Sequence, residues 1–186
     1  MNWLAFFDGL LAATALWIAV SKRGTRPALA LASMLLGMAA LLGSLRFSGL
    51  LALPEWHQFF SMLGASAALP LLALSVVAPA SVITLQRRYA WIFAVAASVA
   101  SILIVLVVQF KVWASLLAVV SALAILTAGV ARKQMQIAAG GLALLIGLIL
   151  FATKFHWGAL QPGDFLHMGL ILSLLAIGQA PAPQRR

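Results

Sequence analysis

Apolar stretches long enough to cross a bilayer follow one another along almost the whole of this chain, and the gaps between them take basic residues unequally. Seven such stretches can be read, at about 3–20, 28–47, 57–78, 91–109, 112–130, 137–153 and 164–180. At roughly 20 residues per spanning helix, they use about 140 positions of the 186. Only short loops remain, so the spacing predicts one all-α transmembrane domain over 1–186, a polytopic seven-helix bundle.

The basic residues predict its orientation. After the first, third, fifth and seventh stretches stand Lys22, Arg23 and Arg26; Arg87 and Arg88; Arg132 and Lys133; Arg185 and Arg186, nine of the twelve. The other gaps hold Arg46, Lys111 and Lys154. Cytoplasmic loops carry the excess of Lys and Arg, so the N-terminus should lie outside and the C-terminus in the cytoplasm. All three acidic residues and all three histidines (Asp8, Glu55, His57, His156, Asp164 and His167) then fall at or near the outer face. A chemical site is to be sought there.

Composition excludes several classes. With 65% hydrophobic and 8% charged residues, the chain cannot be an ordinary soluble domain, where about a quarter of residues are charged. A net charge of +9 would suggest nucleic acid in a soluble protein. Here contact with anionic lipid headgroups accounts for it, so the expected partners are the lipid bilayer and a second membrane protein, not nucleic acid. The absence of Cys removes disulfides, thiolate chemistry and cysteine metal sites. The first 20 residues do not read as a cleaved signal peptide, because they lack a basic start and carry Asp8 inside the apolar run. A compact Ala/Leu-rich chain with minimal loops reads as a bacterial inner-membrane protein.

Within the spans, Pro70 should kink the third, which opens at His57 after an interfacial connection over 48–56. The stretch 80–90 reads as an inner loop. The 40 residues from Trp91 to Val130 would measure about 60 Å as one helix, twice a hydrocarbon core, and are divided at 110–112. No Gly or Pro marks that turn. In the sixth span Gly140, Gly141 and Gly147 permit close helix approach. No internal repeat supports an inverted-repeat transporter. Trp3, Trp56, Trp91, Trp113 and Trp157 stand near span ends, as an aromatic belt.

The candidate site residues are few. Asp8 lies about 7–8 Å along the first helix, where a carboxylate needs a partner or a proton; Arg46 is the expected one, with the histidines as competitors. His57 and Ser61 are four apart on one face of the third span. Asp164 opens the seventh span and suits its N-cap, and His167, three residues on, shares its face. His156 and Trp157 read as an interfacial anchor in the loop before it. Asp8, Arg46, His57 and His167 should form one polar cluster, because residues of this kind escape lipid by facing inward. No Walker, dinucleotide, Ser-protease or EF-hand pattern occurs.

Seven spans with the N-terminus outside, polar residues from the first, second, third and seventh helices, and Asp164-x-x-His167 opening the last one resemble one group. It is the seven-helix membrane hydrolase superfamily of alkaline ceramidases and adiponectin-receptor-like proteins. The resemblance implies a zinc amidase with three His on the metal and an acid and a Ser nearby. It departs at the residue four beyond His167, which is Ile171 where the family has a second His. A Ser-x-x-x-His in the second helix is replaced by a reversed His57-x-x-x-Ser61 one helix later.

Two functions follow as expectations. The first is a non-catalytic accessory or a small-molecule- or lipid-binding membrane protein, whose polar cluster ties the helix ends together. The alternative is a zinc-dependent intramembrane hydrolase of a lipid amide or ester. Zinc would then sit on His57, His167 and His156, and Asp8, Asp164 and Ser61 would be the catalytic groups. A third possibility is bis-His haem ligation by His57 and His167.

Overall fold

The computed structural model describes residues 2–110 and 112–180. Lys111, Arg185 and Arg186, which enter the charge pattern above, lie outside the described residues. The helices are α1 (Trp3–Lys22), α2 (Pro27–Phe47), α3 (Pro54–Leu63), α4 (Leu69–Val77), α5 (Val82–Leu85), α6 (Arg87–Leu106), α7 (Trp113–Ala131), α8 (Met135–Ala152) and α9 (Pro162–Gln179). A π-helical turn, Gly64–Ala68, joins α3 to α4, so Pro54–Val77 is one continuous 24-residue element. Six elements are long and apolar enough to cross a membrane: α1, α2, Pro54–Val77, α6, α7 and α8. α9 has the same length as α8, but Pro162, Gly163, Asp164 and His167 make its first turns polar.

Several element ends differ from the sequence reading, each for a local reason. The third element begins at Pro54 rather than His57, because proline at the first helical position has its φ already set and lacks an amide that would go unpaired. The 80–90 stretch is not a plain loop. Ser81 caps the one-turn helix α5, accepting from Thr84 N, and α6 starts directly after it at Arg87. The break between α6 and α7 falls at 107–112 without Gly or Pro; Gln109 takes the left-handed turn itself at φ 59°. The hairpin is tied further by Trp113 Nε1, which donates to Ser101 Oγ at 3.0 Å.

Pro70 produces a wider turn. Its ring removes the amide that would bond the Ser66 carbonyl and crowds that carbonyl. The backbone answers just upstream, where the Leu69 amide reaches five residues back to Gly64. Each extra residue in such a turn rotates the preceding helix by about 100° relative to an unbroken one. The turn therefore sets which face α3 presents.

The elements close into a ring in the order α1, α2, α3–α4, α7, α8, α9 and back to α1, while α6 lies outside it against α2, α5 and the π turn. The α7–α8–α9 wall is tight because α8 carries glycines at both contacts. A Cβ on Gly141 would meet the Leu126 backbone at 2.5 Å, and one on Gly147 would meet the Phe165 carbonyl at 2.9 Å.

We call the end where α1, α3 and α9 begin the proximal end. Ile18, Leu29, Leu71, Leu72, Ile125, Leu174 and Ile177 fill the distal half of the ring and are fully buried. Two arginines close that end. Arg26 Nη1 donates to the Ile177 carbonyl at 2.6 Å, and Arg132 donates to the carbonyls of Val76 and Val77. Each guanidinium thus satisfies the last carbonyls of a helix two or more elements away and meets the negative end of its dipole. Burial of Arg26 lowers its pKa from the usual arginine value, yet a guanidinium remains charged at neutral pH.

Candidate functional site

The proximal half is not filled. α3 leans on α2 and stands apart from α7, α8 and α9, and the wedge between them is a cavity of about 290 Å³. Its walls include Leu11, Leu36, Leu69, Val119, Phe151 and Leu170; its polar side chains are those of Asp8, His57, Ser61, Ser115 and His167.

Hydrogen bonds between helix ends place the polar group. Asn2 caps α1, and its Nδ2 donates to the Phe47 carbonyl at 2.5 Å. Ser44 Oγ donates to the Ala5 carbonyl at 3.1 Å. Together they hold the start of α1 against the end of α2, with Asp8 facing Gly43. A Cβ on Gly43 would collide with Asp8 Oδ2 and lie 2.9 Å from His57 Nε2. Both atoms therefore border the space that glycine leaves empty. On the other side, His167 Nε2 lies 3.3 Å from Asp8 Oδ1. That contact is close but not directed as a hydrogen bond, so both Asp8 oxygens and His167 Nδ1 are buried without a hydrogen-bond partner among the described residues.

The expected Asp8–Arg46 pair does not form. Asp8 is 1% exposed, inside the ring, whereas Arg46 is an exposed residue at the rim. Arg46 Nη1 instead lies 3.2 Å from His57 Nδ1. A guanidinium can only donate, so His57 Nδ1 accepts and the ring proton sits on Nε2, turned towards Asp8. The four residues form a row: Arg46, His57, Asp8, His167.

The remaining candidates stand apart from that row. Asp164 is fully buried but does not line the cavity. It is not the N-cap of α9: it stands at the third helical position, accepts the Gln161 amide on Oδ2 at 2.7 Å, and closes a capping box with Gln161. Pro162 explains the displacement, since it takes the first helical position and moves the cap one residue back. Ser61 lines the cavity, but its Oγ donates to the His57 carbonyl at 2.7 Å, so it bonds to its own helix. His156 is exposed in the loop between α8 and α9, whose Trp157–Leu160 turn is also open.

The donor set does not suit zinc. A metal-bound His gives its other ring N–H to an acceptor, but the group facing His57 Nδ1 is the Arg46 guanidinium, which can only donate. His167 Nδ1 has no acceptor among the described residues, and His156 is not at the cavity. No group of three His, Asp or Glu suited to a metal ion occurs among the described residues.

Sequence reasoning passed over Gly43, Asn2 and Gln161. No protein-family profile, curated protein or solved structure matches this chain.

Proposed function

We propose that this is a seven-span protein of the bacterial inner membrane that binds a small amphipathic or lipid-like molecule in its proximal cavity without transforming it. The N-terminus lies outside and the C-terminus in the cytoplasm, so the cavity belongs to the outer leaflet. α9 is the seventh span: it packs between α1 and α8, is about 27 Å long, and turns apolar after His167. With α9 crossing, the nine loop and tail arginines and lysines fall on one side.

One observation carries the reading. A buried carboxylate with no hydrogen-bond partner among the described residues lines a mostly apolar space. Leaving such a group unsatisfied costs about 1–3 kcal/mol or more. A ligand with an apolar body and a donating head, an ammonium or a hydroxyl, would satisfy Asp8 and fill the cavity together. Binding is favoured over hydrolysis because the hydroxyl of Ser61 is engaged with backbone and no group of three His, Asp or Glu suited to a metal ion occurs among the described residues.

The test is thermal unfolding of the detergent-solubilised protein with decylamine, decanol or decane added. The amine and the alcohol should raise the midpoint and the alkane should not. A ligand at a hundred times its Kd adds about 2.7 kcal/mol, a shift of several degrees in a chain of this size. Asp8→Asn should abolish the amine shift while the protein still folds. Equal stabilisation by decane would refute recognition through Asp8. Stoichiometric zinc in the purified protein would favour the hydrolase instead.

A further inference from the structure

A second groove lies at the distal end, on the outside of the ring and away from the Asp8 row. α1 and α6 flank α2 without closing on each other, leaving a space of about 400 Å³. Its floor is Ala30, Leu31 and Met34 of α2, and its sides are Ala19 of α1 and Trp91 of α6. Arg23 and Arg87 stand at its mouth. Both are exposed, and neither has a carboxylate partner among the described residues. From Pro27 to Met34 the floor runs about 10 Å into the apolar part of the bundle.

We propose that this groove is a binding site for one anionic phospholipid of the leaflet at that end. The phosphate would lie between the two guanidiniums, and an acyl chain would descend over Ala30 and Met34. Three features favour a lipid over a partner helix. Two unpaired cations at the mouth match a phosphodiester, which arginine forks bind well. The helices α2 and α6 both begin there, and their free amides add positive potential at that level. The walls are apolar beyond one polar end, as for a headgroup above a tail. Basic pockets between helices hold anionic headgroups in this way. The site is independent of the ligand proposed for the proximal cavity.

Native mass spectrometry of the full chain, with phosphatidylglycerol or phosphatidylcholine added to the detergent, tests this. One phosphatidylglycerol per chain should survive where phosphatidylcholine is lost. Arg23→Ala with Arg87→Ala should weaken it by about thirtyfold, from the usual contribution of a basic residue near an anionic surface. Arg88→Ala is the control, since that side chain turns to the Tyr89 hydroxyl at 2.8 Å and does not line the groove. Ala19→Phe keeps both arginines but fills the groove, and it should lose the lipid as well. Wild-type retention of phosphatidylglycerol by the double variant, or equal retention of phosphatidylcholine by the native chain, overturns the proposal. So does a dimer that Ala19→Phe abolishes while lipid binding persists.

Discussion

Gly43 shows how much of the proximal site depends on an atom that is not there. Any side chain at this position must displace the Asp8 carboxylate and the His57 ring, both of which are flexible ends. Gly43→Ala is therefore expected to fold, with a loss at the low end of over-packing, about 1 kcal/mol. It should also separate Asp8 from His167 and remove the midpoint shift given by decylamine. Retention of that shift would mean that the carboxylate need not occupy its present position. Asp8 itself was legible in the sequence, because a lone acid inside an apolar run has to face inward. Its partner was legible only as a choice between Arg46 and the histidines: Arg46 lies at the rim while Asp8 is inside the ring. The buried carboxylate instead has the His167 imidazole beside it, 3.3 Å away.

Among the elements, the third departs most from a plain helix, and the reason is Pro70. The sequence reading expected a kink there; the structure has a π turn one step upstream, which rotates α3 so that His57 and Ser61 reach the cavity. Helix ends at the distal side are held by side chains from other loops. Arg26 caps α9 across more than 150 residues of chain, and Arg132 caps α4. A hydrogen bond to a charged group contributes about 1.5–3 kcal/mol, so Arg26→Met should lower stability by about that amount in a denaturation series. Its effect should exceed that of Arg23→Met, whose side chain has no such partner. A smaller loss for Arg26→Met than for Arg23→Met would remove the capping role. The loop arginines were read from the sequence only as a charge bias, and their second use as caps could not be seen there, since it joins residues far apart in the chain.

At the scale of the whole molecule, the helices form a ring that is packed at one end and open at the other, with α6 outside it. Reporter fusions after Arg26, Arg88 and Lys133 should read cytoplasmic, and one at Gly158 should read periplasmic. A fusion after Gln179 reading on the same side as Gly158 would make α9 a helix that does not cross. The all-α character and the positions of the apolar helices were determined by the sequence alone, because an unbroken run of apolar residues has few ways to fold and each lies within a short window. The division of 91–130 was legible too, from its length and from the basic pairs Arg87/Arg88 and Arg132/Lys133 at its two ends. Other features belong only to the tertiary structure: the exclusion of α6, the cavity, and the order in which Arg46, His57, Asp8 and His167, expected together from the sequence, stand. Each depends on which helix faces meet. That is decided by small residues such as Gly43, Gly141 and Gly147, and by one proline's change of register, with no charge or periodicity along the chain to announce it.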